Sequence, residues 1–194
     1  MEESRLPPVR QEAIMPDVFH VANYFLARND PAEGDRITAL KLQKLVYYAQ
    51  GYSLALLGRP LFDSPIHAWE LGPVCIPLYR KFKNFGRKPV DRLYKTAAEA
   101  AKALRVAQRP FTQEQINLLE DVFACYSGYT AMHLVNMAHK TTPWKKAFPD
   151  EEIATKSMKS FFSDQLNGAA IERKIRLSRK EADKIATRLG VSLQ

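Results

Sequence analysis

Histidine and cysteine are the side chains in this 194-residue sequence whose chemistry suits metal binding or nucleophilic attack. The four histidines are scattered, and the nearest pair, His133 and His139, lies about 240° apart around a helix because the two are six residues apart. No CxxC or HExxH motif supplies the ligand spacing of a zinc site. The sequence therefore predicts no metal site.

Cys75 is the candidate for a cysteine nucleophile. It follows Pro73, which is well placed to begin a helix, and a helix N-terminus favours the thiolate. The alternative, which we favour, is a small apolar residue packed near a turn. No GxSxG, GxGxxG or GxxxxGK[ST] motif is present. We predict that the protein is not an enzyme and has no cofactor.

Basic side chains are concentrated in one segment. The chain has 29 Lys and Arg against 21 Asp and Glu, which gives a formal charge of +8. Residues 80–110 contain two acidic residues and account for the whole excess. Their ten basic residues are Arg80, Lys81, Lys83, Arg87, Lys88, Arg92, Lys95, Lys102, Arg105 and Arg109. The remainder of the chain is neutral, so any electrostatic partner is expected at this segment.

Two kinds of partner suit the basic segment. Phe82, Phe85 and Tyr94 are interleaved with its cations, and such a pattern can contact phosphates and stack on bases. However, no helix-turn-helix, zinc-finger or RNP motif surrounds it. A solvated charged face, or a face for an acidic protein, fits at least as well.

The composition indicates one globular domain in the cytoplasm. It is 46% hydrophobic, and the two cysteines fit a reducing compartment rather than a disulfide framework. No apolar run is long enough to span a membrane, and the N-terminus lacks the apolar region of a secretory signal. We expect a flexible leader over 1–14, a helical domain over 15–168, and a polar linker with a C-terminal helix over 169–194.

Hydrophobic periodicity and caps predict a mainly α, compact bundle of about seven helices, with a short extended or β element around 66–71. A central helix runs from a Thr38 cap to about Leu57 and stops at Gly58. The other expected elements are a helix over 15–28 with Asp17 at its start, one from Pro73 to about 84–86, one over 97–106, one opening at a Thr112–Gln115 capping box, one capped by Thr130 and broken at Thr142-Pro143-Trp144, one over 155–166, and a last one opening at a Ser178–Glu181 capping box.

Several short words of the sequence occur in the order of a known family. Residues 41–51 read KLQKLVYYAQG, residues 58–62 read GRPLF, and residues 68–74 read AWELGPV, with His139 followed by Pro143-Trp144. These words resemble the signature of the Panacea domain, the SocA-like antitoxin family. The resemblance implies a family-motif scaffold built on Leu42, Gln43, Tyr47, Gln50, Gly51, Pro60, Trp69, Gly72, Pro73, Tyr79, His139, Pro143 and Trp144.

The resemblance also implies a function. Members are bacterial or phage-borne antitoxins, so we expect a cognate toxin protein encoded next to this chain, a role in phage defence, and neutralisation by direct binding. The alternatives are a proteolytic adaptor that delivers the toxin to an ATP-dependent protease, and a nucleic-acid-binding regulator that uses residues 80–110. The expected toxin-binding residues are Lys41, Lys44 and Tyr48, which share one face of the central helix and are expected to be exposed, with Arg80, Lys81, Lys83, Arg87 and Lys88.

Overall fold

A computed structural model of the chain describes residues 15–29, 36–90 and 96–167. Within them lie eight α-helices and one two-stranded antiparallel sheet. The helices are α1 (Val18–Arg28), α2 (Ala39–Tyr52), α3 (Ile76–Phe82), α4 (Ala97–Gln108), α5 (Gln113–Tyr126), α6 (Ala131–His139), α7 (Thr142–Ala147) and α8 (Thr155–Asn167); the strands are β1 (Ile66–Trp69) and β2 (Gly72–Cys75). The mainly helical prediction is confirmed. The predicted leader over 1–14, the whole tail over 169–194 and its Ser178 capping box lie outside the described residues.

Helix α2 is the centre of the bundle. The Thr38 hydroxyl accepts a hydrogen bond from the Lys41 backbone N–H, as the sequence predicted. The helix packs against α1, α5, α6, α8 and β2. It continues as a π-helical turn over Ser53–Leu57 and ends at Gly58, whose φ of 70° is left-handed. The predicted stop at Gly58 is confirmed.

Side-chain caps begin three other helices, α1, α5 and α6, where the sequence placed them. Asp17 and His20 form a reciprocal capping box on α1, and Thr112 and Gln115 form one on α5. The Thr130 hydroxyl caps α6. These local hydrogen bonds depend on a few adjacent residues, which is why they can be predicted from sequence.

The hairpin corrects the prediction for residues 66–84. In place of one extended element, β1 and β2 pair with Trp69 opposite Gly72, and Gly72 has a φ of 85° that suits a tight turn. Pro73 lies inside β2 and does not begin a helix, so that prediction was wrong. Helix α3 begins at Ile76 with Pro77 in its first turn.

Helix α7 was also missed, because Pro143 was interpreted only as a helix breaker. Proline is tolerated in the first turn of a helix, where its missing N–H costs nothing, and Pro143 starts α7 in this way. The chain after α7 then covers the outer edge of β1, since the Ala68 N–H donates to the Glu151 carbonyl (2.9 Å) and the Ile153 N–H donates to the Ile66 carbonyl (2.7 Å). None of the described helices is long and apolar enough to cross a bilayer.

Candidate functional site

Gln43 of α2 fastens the hairpin through two hydrogen bonds to a single residue. Its Oε1 accepts from the Cys75 backbone N–H (2.8 Å), and its Nε2 donates to the Cys75 carbonyl (3.1 Å). A neighbouring strand would satisfy the same two backbone groups. The amide of Gln43 therefore replaces a missing strand at the inner edge of β2.

Lys44, the next residue, holds the same edge from a fully buried position. Its Nζ donates to the Pro73 carbonyl at 2.7 Å, and the side chain is 0% exposed. Gly72 makes room for it, because a Cβ at Gly72 would lie 3.0 Å from Nζ. Burial disfavours the charged form and lowers the pKa of Lys44 from 10.5 to about 7.

The expected exposure of Lys41, Lys44 and Tyr48 is wrong. Their exposed fractions are 3%, 0% and 3%, because α2 is enclosed by other elements on every side. The Tyr48 ring stacks on Tyr126 with centroids 4.2 Å apart, and its hydroxyl has no hydrogen-bond partner within the described residues. Burial raises the pKa of Tyr48. A partner protein cannot reach these three side chains in this conformation.

The remaining polar residues of the 41–51 word also face inward. The Tyr47 hydroxyl forms a hydrogen bond (3.1 Å) with the hydroxyl of Thr141, the residue immediately before α7. Gln50 accepts from the Leu61 N–H and donates to the Phe62 carbonyl, both at 2.8 Å, which secures the loop after Pro60. Leu42 is buried, and the backbone of Gly51 lies directly against the Phe162 ring.

The expected scaffold residues of the hairpin and of α6–α7 form one aromatic group. The Trp144 Nε1–H donates to the Trp69 carbonyl (3.1 Å), and the His139 ring stacks on Trp144 with centroids 4.1 Å apart. Tyr79 meets the Trp69 ring edge-on at 4.9 Å, yet it remains 42% exposed. Pro143 of α7 is buried. This group joins α3, α7 and the hairpin.

The five remaining candidates are all exposed and lie within nine consecutive residues, and we call them the basic patch: Arg80, Lys81, Lys83, Arg87 and Lys88. It follows the end of α3, a 3-10 turn over Lys83–Phe85 and the turn after it. Residues 80–88 contain no acidic residue. None of the five cations has an ion-pair partner in the part of the chain that the structure describes.

The rest of the basic segment continues on α4. Lys102, Arg105 and Arg109 are exposed there, and α4 packs against α1. Arg92 and Lys95 lie outside the described residues. The sequence gave no reason to expect that α1 would separate the basic patch from the cations of α4. That arrangement depends on contacts of α1 with α3 and α4, which lie far from it in the sequence.

The two cysteines are buried, free thiols. Burial raises the pKa of Cys75, and it raises the pKa of Cys125 to about 12. Both thiols are thus protonated at neutral pH, which removes the thiolate that a cysteine nucleophile requires. Within 15–29, 36–90 and 96–167, no group of three or more His, Cys, Asp or Glu side chains is placed to hold a metal ion.

Comparison with known proteins identifies the scaffold. The family model described as "Antitoxin SocA-like, Panacea domain" matches residues 42–145. Antitoxin SocA of Caulobacter vibrioides (strain NA1000 / CB15N) is 32% identical over 142 residues, which cover 72% of this chain and 74% of that protein. No solved structure matches the chain. The chain belongs to the SocA-like antitoxin family with a Panacea domain.

Proposed function

We propose that this protein is an antitoxin that neutralises a cognate toxin by binding it directly through the basic patch. Family membership supports the antitoxin role. The observation that carries the binding surface is the set of five exposed cations within residues 80–88, with no acidic residue among them. They lack ion-pair partners in the described part of the chain. The partner surface that complements them is acidic.

Physical chemistry favours a protein contact at such a patch. Like charges held close together repel one another, and an acidic partner removes that repulsion. Complementary charges also speed association and exclude wrong partners. Phe85 and Tyr79, which are 43% and 42% exposed beside the cations, supply the apolar and aromatic area that protein interfaces use.

Neutralisation by binding needs no chemical step on this chain. Its two thiols are buried and protonated, so the proposal assigns no catalytic residue. The toxin is proposed to be the product of the adjacent reading frame, and both proteins are proposed to act in the cytoplasm, without a membrane partner.

The test reverses all five charges of the basic patch to Glu and co-expresses the variant with the product of the adjacent reading frame. We expect the wild type to restore growth and to co-purify with the toxin, and the variant to do neither. The matched control reverses five exposed lysines on the α6–α8 side, Lys140, Lys145, Lys146, Lys156 and Lys159, and carries the same net charge. We expect the control to behave as the wild type.

Other results would point to the alternatives. A harmless neighbour, or full neutralisation by the variant of the basic patch, would contradict the proposal. Toxin loss that requires a purified ATP-dependent protease and this protein together would replace blocking with an adaptor mechanism. Binding to a DNA duplex that weakens steeply with salt, without toxin binding, would identify a nucleic-acid regulator.

A further inference from the structure

Two apolar depressions lie beside the basic patch, on either side of α1. The first has a volume of about 560 Å³ and runs between α1 and the 3-10 turn, where Phe19, Leu26 and Phe85 line it. The second, of about 670 Å³, runs between α1 and α4 and is lined by Val106. Asn23 of α1 lines both. The depressions therefore form one double surface centred on Asn23.

Cations rim both depressions. Lys81 of the basic patch lines the first. Lys102 and Arg109 line the second together with Glu99, so the charged groups there are two cations and one carboxylate. Phe85 and Val106 are 43% and 50% exposed, so large apolar side chains face solvent between these cations. An apolar floor with a basic rim matches a helix that has an apolar face flanked by carboxylates. A phosphate backbone would use the rim and leave the floor exposed.

We propose that this double depression docks an amphipathic helix of the toxin, with acidic residues beside its apolar face and one apolar anchor in each depression. The inference rests on the proposed function and extends it from a charged contact to a defined mode of recognition. Tight interfaces concentrate their affinity in a few apolar anchors, while charges at the rim mainly set association rate and register.

Charge argues against the C-terminal tail of this chain as the occupant. Residues 168–194 hold seven basic and three acidic residues, so this tail would be repelled by the rim. A second copy of the protein would bring a second basic patch against the first. An acidic segment of another protein meets neither objection.

The first test fills the centre of the surface with Asn23→Trp. Asn23 is partly exposed, so the larger ring can be accommodated while it blocks both depressions. The matched control is Asn136→Trp, at an exposed helical position on α6. Using the purified product of the adjacent reading frame as the probe, we expect Asn23→Trp to weaken binding at least 100-fold by calorimetry and Asn136→Trp to leave it unchanged.

A second pair of variants covers the case in which Asn23→Trp does not fold. Lys102→Glu with Arg109→Glu alters the α4 rim and leaves the basic patch intact, and Lys145→Glu with Lys146→Glu is the control on α7. We expect the first pair to weaken toxin binding at least 10-fold. The affinity of this variant should also fall less steeply with salt than that of the wild type. The control should match the wild type in both measurements.

The outcomes separate the two proposals. Wild-type affinity in Asn23→Trp and in the α4 pair, with binding lost on reversal of the basic patch, would overturn the docked helix and leave the antitoxin proposal standing. No binding of the toxin to the wild type would overturn the antitoxin proposal itself. If Asn23→Trp weakened binding to a 30-base-pair DNA duplex and not to the toxin, the protein occupant would be wrong.

Discussion

Helix α2 and the basic patch have opposite environments. Helix α2 contains the longest family word, and twelve of its fourteen residues are buried, among them two lysines and two glutamines. The basic patch also lies within residues 42–145, which the family model matches, but all five of its cations are exposed. The family word in α2 thus consists mainly of residues that pack and bond inside the domain. A partner, by contrast, can reach the exposed cations of the basic patch.

The difference lies in what the polar groups contact. In α2, Gln43, Lys44 and Gln50 reach backbone groups of the hairpin and of the loop before it. Any change there leaves a buried backbone donor or acceptor unpaired, which costs about 1–3 kcal/mol per group. The basic patch makes no such bonds within the described residues, so it can vary without cost to the fold. One domain can therefore combine an internally bonded scaffold with an exposed basic surface whose side chains the fold does not use.

The largest expected effect comes from Gly51→Ala in α2. A Cβ at Gly51 would overlap the buried ring of Phe162, and an aromatic ring packed between α2 and α8 has little freedom to move. We expect a loss of about 3 kcal/mol or more in the free energy of unfolding, at the upper end for overpacked cores. Urea denaturation followed by circular dichroism measures it.

Gly58→Ala is the matched control for Gly51→Ala. Its Cβ would meet nothing within 4 Å, but its φ of 70° is left-handed, so we expect a loss of about 1 kcal/mol from backbone strain alone. Adding Phe162→Leu to Gly51→Ala should recover part of the lost stability. If Gly51→Ala unfolds at the same urea concentration as the wild type, the close packing of α2 on α8 is wrong.

Sequence patterns predicted the parts of the fold that depend on neighbours in the chain. The caps at Asp17, Thr38, Thr112 and Thr130 were all confirmed, since each is a hydrogen bond across three residues. The mainly helical class and the stop at Gly58 were confirmed for the same reason. These features need no knowledge of what packs against the helix.

The burial of Lys44 could not be predicted in this way. Helical periodicity placed Lys41, Lys44 and Tyr48 on one face and could not show that the hairpin, α5 and α6 would cover it. The acceptor of Lys44, the Pro73 carbonyl, is 29 positions away. Its carbonyl is available only because Pro73 lies in a strand, and the sequence had predicted a helix there. The wrong prediction of a helix at Pro73 thus contributed to the wrong prediction that Lys44 is exposed.

The second prediction concerns the pH dependence of stability. In the folded protein the pKa of Lys44 is lowered to about 7, whereas in the unfolded chain it returns to 10.5. Between these values the unfolded state binds more protons, so stability rises with pH. We expect a contribution on the order of 1.4 kcal/mol per pH unit from about pH 7 upward. Lys44→Met, which keeps the length and removes the charge, should abolish that contribution.

Urea unfolding at pH 7.0, 8.0 and 9.0 measures this slope as the difference between the wild type and Lys44→Met. Both proteins contain the same two cysteines, so the contribution of cysteine ionisation to the pH dependence cancels in this difference. Lys145→Met, at an exposed site on α7, is the control and should leave the slope unchanged. Equal slopes for wild type and Lys44→Met would show that Lys44 is solvated in solution, contrary to its burial here.

The smallest expected effect on stability comes from the basic patch. Reversing its five cations moves the net charge from +8 to −2, because each reversal changes the charge by two. Exposed substitutions without packed or hydrogen-bonded partners usually change stability by less than about 0.5 kcal/mol each, and relief of repulsion offsets part of any loss. We expect the variant to unfold within about 1 kcal/mol of the wild type in urea at 0.15 M salt.

This result matters because the same variant is expected to lose the toxin. A protein that keeps its stability and loses its partner separates the two regions cleanly, since Gly51→Ala should do the reverse: it weakens the fold while every residue of the basic patch remains. A loss of several kcal/mol on reversing the patch would mean that these cations hold the domain together, and its failure to bind would then follow from unfolding. In that case the basic patch would belong with α2 as scaffold, and the toxin contact would have to be sought elsewhere on the described surface.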